Sequence, residues 1–200
     1  GLVSTAELLL NLFAGDRANQ VAYSVKFNPA KASSESTVRF ANLPETANAQ
    51  RIAFITTDGT ASASELVINA LAPYADVAIV GSKTFGKPVG QNAYDISACD
   101  FRLRLVAFRS VNSAGNGDYY TGLPDAAFTD AYCSSIEDFQ SPIGNDAEVM
   151  TSDALYWVNN GRCRVPGILG LQKAAPFADA QAPPLGGKVS ALQVYIPGSF

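Results

Sequence analysis

The sequence contains no histidine. A Ser-His-Asp or Cys-His hydrolase therefore cannot be assembled from this chain. Any nucleophile here needs Lys, Asp, Glu, Tyr or a chain terminus as its base. Cysteine is scarce as well: Cys99, Cys133 and Cys163, with no C-x-x-C pair among them. Three scattered thiols without histidine do not supply the ligands of a structural zinc. Basic clusters are missing, and 14 Lys and Arg against 18 Asp and Glu leave a formal net charge of -4. That balance argues against nucleic acid or an anionic membrane surface as partner. No apolar run reaches the length of a membrane span. The opening GLVSTAELLL lacks a basic region and carries Glu7 inside its apolar run, so it does not read as a signal peptide. A glycine followed at once by a helix start is an odd natural beginning, and further sequence is expected upstream of Gly1.

What is present suits one domain, or one domain with a modest subdomain, in 200 residues. Hydrophobic residues at 48% against 16% charged are ample for a core. Ser4 and Glu7 form a capping-box pattern, with Leu8, Leu9, Leu12 and Phe13 at helical spacing after it and Gly15 where a C-terminal cap belongs. VAYSVKF (21–27) alternates like a strand, KASSES (31–36) is loop-like, and STVRFA reads as a second strand. RIAFITT (51–57) is a near-continuous apolar run, as in a buried strand. A turn at Asp58 and Gly59 leads into a helical stretch in which Val67, Ala70, Leu71 and Tyr74 share a face. DVAIV (76–80) is the next buried strand, which makes a right-handed βαβ unit with parallel strands.

SKTFGKPVGQ (82–91) is a Gly/Pro-punctuated loop, and FRLRLVAFR (101–109) alternates like a half-buried strand. NSAGNGDYYTGLP (112–124) is a loop, and a last helix is expected over about 145–159, with Met150, Ala154 and Val158 on one face and Gly161 after it. Residues from 164 onward show little periodicity, and there is no internal repeat.

The chemistry concentrates in 58–91. Ser62 lies where a buried strand turns into a helix, at the carboxyl edge of the sheet, where open α/β sheets bind ligands. The unpaired N–H groups of a helix start would stabilise an oxyanion formed beside it, the N–H of Ala63 among them. The plainer reading is a helix cap, because Ser62 and Glu65 themselves make a capping box. Ser64 competes with Ser62 on the same terms. The glycines of the α/β-hydrolase elbow are absent, since Ala61 and Ala63 flank the serine. Lys87, between Gly86 and Pro88, reads plainly as a surface lysine. To act as a base it must be desolvated enough to be neutral near pH 7, and Phe85, Pro88 and Val89 could supply that burial. Gln91 by itself needs no explanation.

Together these residues resemble the active-site stretch of the C-terminal processing (tail-specific) proteases. That family has its serine nucleophile in a (G/S)-x-(A)-S-A-S-E segment, its lysine base 25 residues on in F-G-K, and an orienting glutamine four further. GTASASE (59–65) and TFGKPVGQ (84–91) keep both intervals through Ser62, Lys87 and Gln91, and Glu65 matches the family's glutamate. GLVSTAELLLNLF resembles the stretch after the family's D-L-R-x-N-x-G-G segment, whose glycine backbone helps form the oxyanion hole; Gly1 is the one glycine of it present. SPIGNDAEVMTSDALYWVNNGRC (141–163) is loosely similar to the L-G-D-P-x-E-A-x-L helix of exported members, with Asn145-Asp146 in place of Asp-Pro. No peptide-binding PDZ segment is visible, so tail specificity does not carry over.

The resemblance implies an α/β, crotonase-like (caseinolytic protease-like) core with parallel βαβ units. The whole of 1–200 would then be a protease catalytic core lacking its N-terminal side. Residues 1–130 would carry the active site and 131–200 a C-terminal helical and loop extension. It implies a serine endopeptidase with Ser62 as nucleophile, Lys87 as base, Gln91 as orienter, Glu65 behind them, Ala63 and Gly1 as oxyanion donors, and no cofactor. Protein or peptide substrates would lie along Gly86, Val89 and Gly90, on an edge running from about Gly86 to Asn92. A periplasmic or secreted location is also implied. Exported members and the cysteine count suggest one disulfide, Cys99 with Cys133 first and Cys133 with Cys163 as the alternative. The competing reading is an inactive peptide-binding or scaffold protein of the same fold. A crotonase-type acyl-CoA enzyme is a third, favoured by no residue.

Overall fold

A computed structural model describes residues 1–125, 131–142 and 144–164. The chain runs α1 (Val3–Phe13), β1 (Val21–Lys26), a short 3-10 turn, β2 (Ser36–Arg39), β3 (Arg51–Thr56), α2 (Ala63–Leu71) and β4 (Asp76–Gly81). It continues with β5 (Val89–Ile96), β6 (Phe101–Asn112), β7 (Ala131–Ser134) and α3 (Val149–Asn160). The strands form two sheets: an antiparallel one in the order β2-β1-β6-β5, and a parallel one in the order β3-β4-β7. The fold is mixed α/β with a parallel sheet.

The predicted β–α–β unit forms, with β3 and β4 parallel from Arg51 opposite Asp76 to Thr56 opposite Gly81. Its logic is visible in β4, whose side chains alternate between two cores. Val77 and Ile79 pack with Leu66, Val67, Ile68 and Leu71 of α2, while Ala78 and Val80 pack with Cys133 and with Ala154 and Trp157 of α3. A strand covered on both faces has no polar side, which is why its sequence is continuously apolar. Helix α2 is buried nearly all round, since α1 and the antiparallel sheet close over it as well. β7 joins the parallel sheet beside β4, so residues 131–134 belong to the core rather than to an extension.

Several expectations change. The capping box at Ser4 and Glu7 does not form: α1 starts after Leu2 with no side-chain cap, and Glu7 instead accepts a 2.7 Å hydrogen bond from the Tyr23 hydroxyl. α1 buries Ala6 and Leu10 and leaves Leu8 and Leu9 exposed. The loop after β4 ends at Pro88, because β5 begins at Val89. β6 is buried only over its last residues, Ser110 to Asn112; Phe101, Leu103 and Leu105 are exposed. α3 begins at Val149, capped by the Glu148 carboxylate and ended by Gly161 in the left-handed conformation; Trp157, not Val158, is buried beside Met150 and Ala154. The disulfide joins Cys133 to Cys163, and Cys99 is free and exposed near the turn between β5 and β6. That turn and β7 lie in different sheets, so Cys99 with Cys133 is excluded. The tail beyond residue 164 lies outside the described residues.

Candidate active site

Between β3 and α2 the chain makes a tight turn. Thr60 N–H donates to the Thr57 carbonyl at 3.0 Å, and Thr57 N–H donates to the Thr60 hydroxyl at 3.1 Å. Ser62 comes next, with φ 59° and ψ -113°. An ordinary N-cap residue sits in the extended region, whereas this conformation is one that residues with a side chain rarely adopt. It costs on the order of 1–3 kcal/mol and persists only where its surroundings enforce it. Ser62 is half-buried, and Ser64, one step into the helix, is exposed.

Glu65 does the enforcing. It is fully buried, at 0% exposure. One carboxylate oxygen accepts from the N–H groups of Ser62 and Lys87, both at 2.8 Å. The other accepts from the Thr84 hydroxyl at 2.5 Å and from Gly86 N–H at 2.7 Å. Thr84 in turn accepts from Leu123 N–H at 2.7 Å. One carboxylate thus pins the serine turn to the lysine loop, and Phe85 N–H adds a 2.8 Å bond to the Thr60 carbonyl.

Ser62 and Lys87 line one cleft, with Val3, Ala63, Leu66, Pro88, Val89, Gly90, Phe108, Ser110 and Tyr119. Lys87 is the one charged side chain among these. Burial among apolar neighbours lowers its pKa from the ordinary lysine value, with the Glu65 charge partly opposing the shift. Gly1 lies against the start of α2: a Cβ placed on it would come within 3.2 Å of the Ala63 methyl. As the first residue of α2, Ala63 has an N–H with no intrahelical acceptor. Gln91 sits on β5 opposite Val106, past a register shift between Gly90 and Gln91, and outside the cleft lining. The space at two other expected residues is filled by protein. A Cβ on Gly86 (φ 93°) would meet Tyr120 O and Gly122 N at 2.6 Å, and one on Gly90 would meet the Phe108 ring at 2.0 Å. Val89 lines the cleft directly.

Reasoning from the sequence missed Thr84, Phe108, Ser110 and Tyr119. Phe108 and Ser110 reach the cleft only because β6 folds back over the lysine loop, and no local pattern announces that. The Thr84 hydroxyl carried a weak signal, being polar in a loop that closes over a buried carboxylate.

The profile of peptidase family S41 matches residues 1–122. No curated protein sequence matches the chain. Among solved structures, a protein of Bacteroides fragilis assigned as an S41 protease is 27% identical with a TM-score of 0.67. That likeness covers 80% of this chain and 42% of the other, so this chain spans less than half of that protein's length. A photosystem II D1 C-terminal processing protease (22% identity, TM-score 0.48, 67% of this chain and 32% of that one) and a Streptococcus agalactiae lipoprotein (19%, 0.48, 67% and 46%) are more distant and carry no weight.

Proposed function

The chain belongs to peptidase family S41, and we propose that it acts as a serine endopeptidase through a Ser62–Lys87 dyad. The observation that carries this reading is the pairing in one cleft of a serine on a constrained strand-to-helix turn with a lysine whose pKa burial has lowered. Neutral Lys87 takes the Ser62 hydroxyl proton as the oxygen attacks a peptide carbonyl. The oxyanion accepts hydrogen bonds from Ala63 N–H and the main chain at Gly1. The protonated lysine gives its proton to the departing amine, and the acyl-enzyme forms. Lys87 then takes a proton from water as the water attacks the ester, and returns it to the Ser62 oxygen as the acid leaves. Gln91 is carried over from the family resemblance as a group that steadies the amine.

The substrate lies extended as an added strand on β5, the end strand of the antiparallel sheet among the described residues, whose outer side pairs with no other described strand. Pro88 and the glycines suit an edge strand. With Gly86 and Gly90 occupied by their protein neighbours, recognition runs through main-chain groups and Val89. The Cys133–Cys163 disulfide supports an oxidising, extracytoplasmic setting.

The test is digestion of an unfolded protein substrate by the full-length protein and its variants. Ser62→Ala and Lys87→Ala should each abolish cleavage with the fold intact, while Ser64→Ala is mild. Loss of activity in Ser64→Ala with Ser62→Ala unaffected would show that Ser62 is the wrong serine. An inactive wild type would leave a peptide-binding protein instead.

A further inference from the structure

Two cleft side chains have no part in the serine–lysine chemistry. Ser110 lies on β6 two residues from Phe108, so the two side chains share a strand face, and both line the cleft. Ser110 is 8% exposed. Its N–H donates to the Pro88 carbonyl at 2.9 Å, which fixes it against the residue after Lys87. Its hydroxyl has no hydrogen-bond partner among the described residues. Tyr119, 1% exposed, is the other such hydroxyl in the cleft. Among the described residues the fully buried side-chain polar atoms without a partner are Arg51 Nε and Trp157 Nε1. The Ser110 and Tyr119 hydroxyls are not among them and reach the open space of the cleft they line, where each is open to a partner.

Resting on the serine–lysine reading, we infer that the Ser110 hydroxyl is a second positioning group for the Lys87 amine, acting from inside the cleft beside the role carried over for Gln91. A neutral amine has two N–H groups and one lone pair. When Ser110 accepts one N–H, rotation about the last carbon–nitrogen bond is restricted and the lone pair can be held toward Ser62. The rest of the wall, Val3, Leu66, Pro88, Val89 and Phe108, offers the amine no side-chain acceptor. The Glu65 carboxylate, the charge acting on Lys87 from α2, is already shared by four donors. Tyr119 is the other titratable lining group. Burial and the charges of Glu65 and Asp125 push its pKa up, so it stays a protonated phenol. β5 and β6 present no charged side chain to the cleft.

The experiment uses the full-length protein with Ser110→Ala, Ser110→Thr and Tyr119→Phe, beside Ser62→Ala and Lys87→Ala. Peptide kinetics are read together with the Lys87 amine titration by NMR of lysine-labelled protein, assigned with Lys87→Arg. Ser110→Ala should lower kcat on the order of 10- to 100-fold with KM nearly unchanged, as for a misplaced base. Ser110→Thr, which keeps the hydroxyl, should restore most of it. Losing an acceptor that favours the ammonium should move the Lys87 titration further down in Ser110→Ala. General loosening of the cleft would instead let water in and move it up, which would overturn the inference. So would an unchanged titration with unchanged kcat, or both effects appearing in Tyr119→Phe and not in Ser110→Ala. A wild type without Ser62-dependent cleavage would refute the peptidase reading, and the titration would still decide whether Ser110 holds the amine.

Discussion

Ser62 and Lys87 are ordinary residue types made unusual by their surroundings. The sequence pattern around Ser62 fits a helix cap as well as a nucleophile. In the structure Ser62 is the N-cap of α2 with the Glu65 capping box in place, so what sets it apart is its backbone conformation. With φ at 59°, the residue is turned out of the extended conformation that caps adopt. Lys87 is similar: nothing in its one-letter neighbourhood distinguishes a surface lysine from a desolvated one, and the difference lies in the cleft wall. A lowered pKa has a definite consequence. In the proposed dyad Lys87 works only when unprotonated, so kcat/KM should climb with pH as Lys87 loses its proton. The midpoint of that climb should fall below the ordinary lysine value near 10.5, because desolvation outweighs the opposing Glu65 charge. A pH-rate profile measures this directly. A flat profile from about pH 5 to 10, or a limb at the ordinary lysine value, would contradict a buried lysine base.

Among the elements, the turn before α2 and the loop before β5 depend on one another through Glu65. Substituting Glu65→Gln keeps the volume but turns one carboxylate oxygen into an N–H donor. With the amide nitrogen toward Ser62 and Lys87, two N–H donors face a donor in a buried site; with it toward Thr84 and Gly86, the Gly86 N–H does, while the Thr84 hydroxyl can turn to accept. At about 1–3 kcal/mol for an unsatisfied buried group, the variant should lose on the order of 1–3 kcal/mol, read by urea unfolding. Its activity should fall further than that of an equally destabilised core variant. A Glu65→Gln protein of native stability would mean that the clamp is not rigid. The resemblance flagged Glu65, but its four donors come from two chain segments about 20 residues apart, the turn at Ser62 and the loop from Thr84 to Lys87, and no local pattern brings those together. The β3–α2–β4 unit was legible because burial on both faces writes itself into a continuous apolar run. β6 misled for the converse reason, since alternation reads the same whether or not something covers the apolar face. β5 was legible only in part: the pattern reads 82–91 as a loop with a pairing edge over about 86–92, because Pro88 and Gly90 look like loop punctuation, whereas the strand starts at Val89 and runs on to Ile96 with Gly90 inside it.

In the molecule as a whole, the parallel sheet is braced between α2 on one face and α3 on the other, and the cleft opens beside α2. The Cys133–Cys163 bridge lies on the α3 side, tying β7 to the end of that helix across a separation of 30 residues. A loop of that length implies about 3–4 kcal/mol of stabilisation in the chain-entropy view. Reducing the bridge should therefore lower the unfolding midpoint, while peptide turnover below the transition stays within a few-fold of normal. Mass mapping that found three free thiols in the protein from an oxidising compartment would contradict this pairing. Cysteine spacing alone left the pairing open, because the partners meet only once β7 has joined the parallel sheet. The central claim, covalent catalysis at Ser62, is tested most directly by acid-quenching the protein during turnover of a peptide and locating the acyl adduct by mass spectrometry. The predicted result is an adduct on the peptide containing Ser62, absent from Ser62→Ala and from Lys87→Ala. Turnover with the adduct on Ser64, or an adduct that persists in Lys87→Ala at wild-type level, would contradict it.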